Sequence, residues 1–131
     1  SDCLVGSEMC IRDSYIMAQK FLEEVTEGDK RIIIINGNVI EHSIIRKSSD
    51  NDHRSNIASG GGIEKYTLNS NEKKICEEVG NYLSSNNIFF AGIDMIGEKI
   101  TEINITSPTC IAEINKIHDV DVGKMFWEQL K

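Results

Sequence analysis

With 131 residues and a formal net charge of −7, the chain is one domain at most: large enough to bury a core, short for a complete nucleotide-using enzyme. Its acidic balance excludes a general nucleic-acid binder, whose affinity depends on basic surface. No apolar run is long enough to span a membrane, and the first residues lack the basic start and apolar core of a secretory signal.

Residues 1–14 differ from the rest. They hold Cys3 and Cys10, show no clear period, and begin with serine rather than methionine, as a fragment or processed piece does. Leu4-Val5-Gly6-Ser7-Glu8-Met9-Cys10-Ile11-Arg12-Asp13 resembles the translation of a transposase-type sequencing adapter. The reading CTC GTG GGC TCG GAG ATG TGT ATA AGA GAC encodes that peptide without a mismatch, and a trailing AG admits Ser14. The segment is expected to be non-native and is set aside from the fold. Codons that differ from the adapter would sink this reading.

From Tyr15 to Leu22 a loose alternation with aromatic and β-branched residues suits a strand, and Glu27-Gly28-Asp29 marks a turn. Arg31 to Ile35 is strongly β-branched. Asn36-Gly37 is a hairpin signal, with Val39 to Ile45 returning as the partner strand. The polar stretch Lys47 to Gly62 reads as a loop, longer than usual connections. Ser70 is a candidate helix N-cap, and Ile75, Val79 and Leu83 follow at helical spacing. Asn86-Asn87 stops that helix. Ile88 to Ile93 is an apolar run expected of a strand covered on both faces; Gly97-Glu98 turns the chain into a strand from Lys99 to Thr106. Pro108 suits the first turn of a short helix through about Ile117, and a last helix is expected over Val122 to Leu130. Together these elements predict an α+β fold, an antiparallel sheet with helices packed on one face.

The chemistry concentrates in Asp94, Glu102 and Asn104. Strand alternation sends Glu102 and Asn104 the same way, and a hairpin would bring Asp94 beside them. Clustered hard oxygens are what Mg²⁺ on a nucleotide phosphate requires, although a turn cap and exposed strand charges give the same spacing. Arg31 follows Gly28-Asp29-Lys30, where solvated turn charges are the plain alternative to an anion grip; its planar fork suits phosphate or carboxylate. Arg46 closes an apolar strand, a place where arginine usually has an anionic partner. The Ser59-Gly60-Gly61-Gly62 run lets backbone amides approach an anion, or is simply flexible, and it lacks the ending of a P-loop. Cys76 and Cys110 read as packing residues, and with Cys3 and Cys10 they show no metal or dense disulfide spacing, as in a cytoplasmic protein. His42, His53 and His118 also lack metal spacing, while Phe126 and Trp127 read as core or interface.

These residues together resemble the C-terminal part of prokaryotic glutathione synthetase, an ATP-grasp ligase. The likeness runs from Tyr15 nearly to the end through Met17-Ala18-Gln19, Gly28-Asp29-Lys30-Arg31, Arg54-Ser55-Asn56-Ile57-Ala58, Gly60-Gly61, Gly92-Ile93-Asp94 and Thr101-Glu102-Ile103-Asn104-Ile105-Thr106-Ser107-Pro108-Thr109-Cys110. It implies a partial ATP-grasp domain over residues 15–131, the C-terminal lobe. It also implies ATP-dependent joining of γ-glutamylcysteine to glycine through an acyl phosphate, in a cytoplasmic parent that is a homo-oligomer without nucleic-acid or membrane partners. By the same resemblance Asp94, Glu102 and Asn104 hold Mg²⁺ or Mn²⁺, and Arg31 and Arg46 act in catalysis. Gln19, Lys20, Phe21, Leu22 and Asp29 meet ATP, and Arg54, Asn56, Gly60, Gly61, Ser107 and Thr109 meet substrate. The family continues Gly60-Gly61 with arginine and glycine, where this chain has Gly62-Ile63. Its N-terminal domain and first ATP-grasp lobe have no counterpart here, so the chain alone is expected to be inactive. Another ATP-grasp carboxylate–amine ligase and a non-catalytic binding module are the alternatives.

Overall fold

The structure, a computed structural model, describes residues 18–47 and 62–130. Residues 18–22 are irregular and lead into a 3₁₀ turn, Glu23–Glu27, where a strand through Leu22 was expected. The strands are β1 (Asp29–Ile35), β2 (Asn38–Val39), β3 (Ser43–Arg46), β4 (Ile63–Tyr66), β5 (Phe90–Ile96) and β6 (Lys99–Asn104). The helices are α1 (Ser70–Ser85), α2 (Ile111–His118) and α3 (Val122–Gln129). The sheet runs β4-β3-β1-β5-β6 with β2 also on β1, and every pairing is antiparallel.

The α+β class stands, but the helices lie on both faces rather than one. The cause is β1, buried at all seven positions. Ile32 and Ile34 pack with Ala91, Ile93 and Met95 against Cys76 and Leu83 of α1. Ile33 and Ile35 turn the other way, onto Ile44, Ile114 of α2 and Val122 of α3. A strand apolar on both sides has to be covered on both sides. Asn36 and Gly37, both at positive φ (50° and 78°), make the expected two-residue hairpin turn. The returning strand breaks at Ile40 to His42 into β2 and β3, which both pair with β1.

Helix α1 is capped one residue earlier than expected, by Asn69 rather than Ser70. Asn69 accepts from the backbone of Asn71 and Glu72, and Glu72 returns a bond from the Asn69 N–H, a complete capping box. Pro108 lies outside the next helix, which starts at Ile111 after Cys110 in a left-handed conformation.

One irregularity decides where the polar residues point. Ile96 pairs with Lys99 and Met95 with Ile100, yet Asp94 pairs with Glu102. Thr101 is therefore an extra residue, a β-bulge. Without it Asp94 would face Thr101, and Glu102 and Asn104 would lie on the α1 face. The bulge also lets Ile100 and Ile103, three apart, share the face of Met95 and Ile93.

Candidate functional site

Residues paired across an antiparallel sheet share a face, and Asp29 pairs with Arg46, Arg31 with Asp94, Asp94 with Glu102, and Gly92 with Asn104. All of these stand on the α2/α3 face, the face that also carries Ile33, Ile35 and Ile44, with Arg31 directly opposite Ile44 and Gly92 opposite Ile33. Four strands thus contribute to one polar patch.

Its centre is a closed charge network. Arg31 presents Nε to Asp94 Oδ1 at 2.7 Å and donates from Nη2 to Asp94 Oδ2 at 3.0 Å. Arg46 Nη2 reaches across β1 to the same Oδ2 at 3.0 Å and also pairs with Asp29. Asp29, Arg31 and Asp94 are all buried. Burial opposes the charge on Arg46, but Asp29 and then Asp94 outweigh it and raise its pKa above the ordinary value. Arg31 Nη1 and Arg46 Nε are buried without a hydrogen-bond partner among the described residues. Such N–H groups are costly to leave unmade, and an anion is the ligand that would satisfy them.

Gly92 makes room for this. A Cβ there would fall 2.7 Å from Arg31 Nη1 and 3.0 Å from Pro108 Cβ, so the guanidinium lies over bare backbone with the proline beside it. In the sequence Gly92 stands out only as part of a motif; its role shows once Arg31 and Asp94 are paired across the strands.

Glu102 is exposed and Asn104 half-buried. The Asn104 Oδ1 accepts from the backbone N–H of Thr106 (3.1 Å) and Ser107 (3.0 Å), folding the segment that carries Ser107, Pro108 and Thr109. Ser107 and Thr109 are exposed. Gln19, Lys20 and Phe21 are exposed and Leu22 is half-buried, in the stretch that leads to Asp29. Arg54, Asn56, Gly60 and Gly61, with Cys3, Cys10 and His53, lie outside the described residues.

Among the described residues no group of three or more His, Cys, Asp or Glu side chains is placed to hold a metal. The candidate donors Asp94, Glu102 and Asn104 are two carboxylates and one carboxamide, with the Asp29 carboxylate on the same face. Such a partial set of hard oxygens suits Mg²⁺ or Mn²⁺, which keeps part of its shell for phosphate oxygens and water. None of the described helices is long and apolar enough to cross a membrane.

The sequence model of the prokaryotic glutathione synthetase ATP-grasp domain matches residues 2–119. The chain belongs to the prokaryotic glutathione synthetase family. The glutathione synthetase of Shewanella oneidensis is 39% identical over 119 residues, 91% of this chain and 38% of that protein. That of Prochlorococcus marinus subsp. pastoris is 48% identical over 115 residues, 88% and 37% respectively. The chain thus spans less than two-fifths of the length of these glutathione synthetases. Among solved structures, the ATP-grasp ligase PsnB complexed with minimal precursor aligns with a TM-score of 0.52 at 13% identity, over 79% of this chain and 35% of its own, a likeness of fold alone. The glutathione synthetase match begins at residue 2 and so overlaps the adapter-like segment, whose codons decide its origin.

Proposed function

We propose that the chain supplies the metal- and anion-holding part of an ATP-dependent ligase that joins γ-glutamylcysteine to glycine. The observation that carries this reading is the Arg31–Asp94–Arg46–Asp29 network, with Glu102 and Asn104 brought beside it by the Thr101 bulge, in a chain of the glutathione synthetase family. In the proposed reaction the γ-phosphoryl group of ATP passes to the cysteinyl carboxylate, releasing ADP. The amine of glycine then attacks the acyl carbon, phosphate leaves, and the amide forms with loss of a proton.

Phosphoryl transfer is mostly positioning and charge neutralisation, which is what these side chains offer. Glu102, Asp94 and Asn104 would hold Mg²⁺ or Mn²⁺, which when bound neutralises phosphate oxygens. Arg31 Nη1 and Arg46 Nε have donor capacity left for an anionic oxygen, presented from planar forks that suit phosphate and carboxylate. Ser107 and Thr109, on the segment folded by Asn104, offer hydroxyls to the peptide substrate. ATP is expected along Gln19 to Leu22 and at Asp29. Arg54, Asn56, Gly60 and Gly61 belong to the substrate cover.

The test is phosphate release by the longer protein that carries this chain. It is expected to require ATP, a divalent cation, γ-glutamylcysteine and glycine together. Sustained release in which another amine or another carboxylate works better would refute the substrate assignment.

A further inference from the structure

Behind the site, on the α1 face, lies a second buried charge cluster that the proposed reaction does not use. Lys30 stands between Asp29 and Arg31 on β1 and points away from them, 5% exposed. Its Nζ pairs with Glu72 and donates to the carbonyl of Gly97 at 2.8 Å. Glu72, 1% exposed, also accepts from the Tyr66 hydroxyl, at 3.0 Å to each carboxylate oxygen, and from the Asn69 N–H at 2.9 Å. The Tyr66 ring sits 5.0 Å from the Lys30 ammonium. Four elements therefore converge on one ammonium: β1, β4, the start of α1, and the β5–β6 turn.

Stability alone is a poor account of this cluster, because a buried ion pair is often no better than apolar groups of the same volume. What such a pair does supply is direction. Gly97, at φ +56°, is the turn residue of the hairpin that carries Asp94, Glu102 and Asn104. The other ties on that turn are exposed: Asn71 to Glu98 at 3.3 Å and Lys99 to Glu24 at 3.2 Å, of a kind that contributes little. Of the two β6 isoleucines on the α1 face, Ile100 packs against the core while Ile103, beyond the bulge, remains 42% exposed. Four residues beyond Gly97 comes the Thr101 bulge, on which the facing of Glu102 depends.

We propose that Lys30, oriented by Glu72 and Tyr66, is a positioning residue that fixes the bulged register of the β5–β6 hairpin, and with it the face on which Glu102 and Asn104 stand. The functional half of this rests on the proposed metal role of Glu102; the register half does not. The same lysine that separates Asp29 from Arg31 in the chain thus sets the strand on which Arg31's partner Asp94 sits.

The experiment follows cross-strand proton contacts by NMR in the full 131-residue chain, with Mn²⁺ broadening as the second readout. The variants are Lys30→Met and Lys30→Met/Glu72→Met, the second removing both charges so that neither is left buried alone. The native chain is expected to show Ile93 opposite Ile103. In the variants that contact gives way to Ile93 opposite Glu102, and Mn²⁺ affinity falls on the order of tenfold, as for lost supporting contacts around a metal. A folded variant that keeps Ile93 opposite Ile103 overturns the proposal. Unfolding of both variants overturns it too, since the cluster then holds the fold and not the register. If the register shifts as expected but Mn²⁺ never broadens Asp94 or Glu102 in the native chain, the positioning role stands and the metal assignment fails.

Discussion

Replacing Gly92 by alanine is the sharpest probe of how the site is built. The new methyl group would lie 2.7 Å from Arg31 Nη1 and 3.0 Å from Pro108 Cβ, in a strand position that is fully buried. An arginine tip can usually swing aside, but this one is held by Asp94 through Nε and Nη2. Overpacking costs about 1–3 kcal/mol, and displacing a charge-assisted hydrogen bond about 1.5–3 kcal/mol. Alanine recovers roughly 0.5–1 kcal/mol of backbone entropy relative to glycine. The net expectation is a loss of about 1.5–5.5 kcal/mol. With a urea dependence of about 2 kcal/mol per molar, that moves the unfolding midpoint down by about 1–3 M. The assay is equilibrium urea denaturation with the Arg31 side-chain resonances followed in parallel. A midpoint within about 0.3 M of the native chain, with the Arg31 signals unmoved, would show that the guanidinium does not lie over Gly92.

Two further expectations concern charge. Glu102→Ala removes an exposed carboxylate and is expected to leave urea stability within about 0.5 kcal/mol, while turnover of the longer protein drops on the order of 10²-fold or more; near-normal Mg²⁺-dependent turnover would refute the metal assignment. Cys76 is buried under α1, and burial, then Glu72 and Glu77, push its thiol from 9.0 up to about 11. Since its folded-state value exceeds the unfolded one, the unfolded chain loses this proton first, and stability falls as pH rises from about 9 to about 11. Native and Cys76→Ala chains compared across that range should differ by a pH-dependent contribution of no more than about 3 kcal/mol; parallel curves would refute it.

The β-branched run, the Asn36-Gly37 turn and the long helix were legible because each is a local signal. Lys30 was not. Read from neighbours, Gly28-Asp29-Lys30-Arg31 looks like solvated turn charge, yet Asp29 and Lys30 open a buried strand. Their partners, Arg46 and Glu72, lie 17 and 42 residues away, beyond the reach of any local pattern. The bulge was missed for a related reason. Simple alternation correctly put Glu102 and Asn104 together, but counting back from a two-residue turn at Gly97-Glu98 sets Asp94 against Thr101. The signal was present in Ile100 and Ile103, two apolar residues three apart that can share a face only if the strand gains a residue. Strand β4 is silent in the sequence because four residues after a long polar stretch carry too little period to register. Helices on both faces, rather than one, follow from the unbroken burial of β1, which its isoleucines alone already suggested.

The network at the site's centre has an arithmetic of its own. Two guanidinium groups and two carboxylates cancel, and Glu102 beside them leaves the patch negative. A bare anion arriving there finds unused N–H donors on Arg31 and Arg46 but no net positive charge, and the Glu102 carboxylate beside them. In the proposed reading, an anion arriving with its own divalent cation would be received differently: the cation would give Asp94 and Glu102 a new partner, leaving the arginines to face the anion. On the proposed reading the patch therefore favours an anion accompanied by its metal over the bare anion.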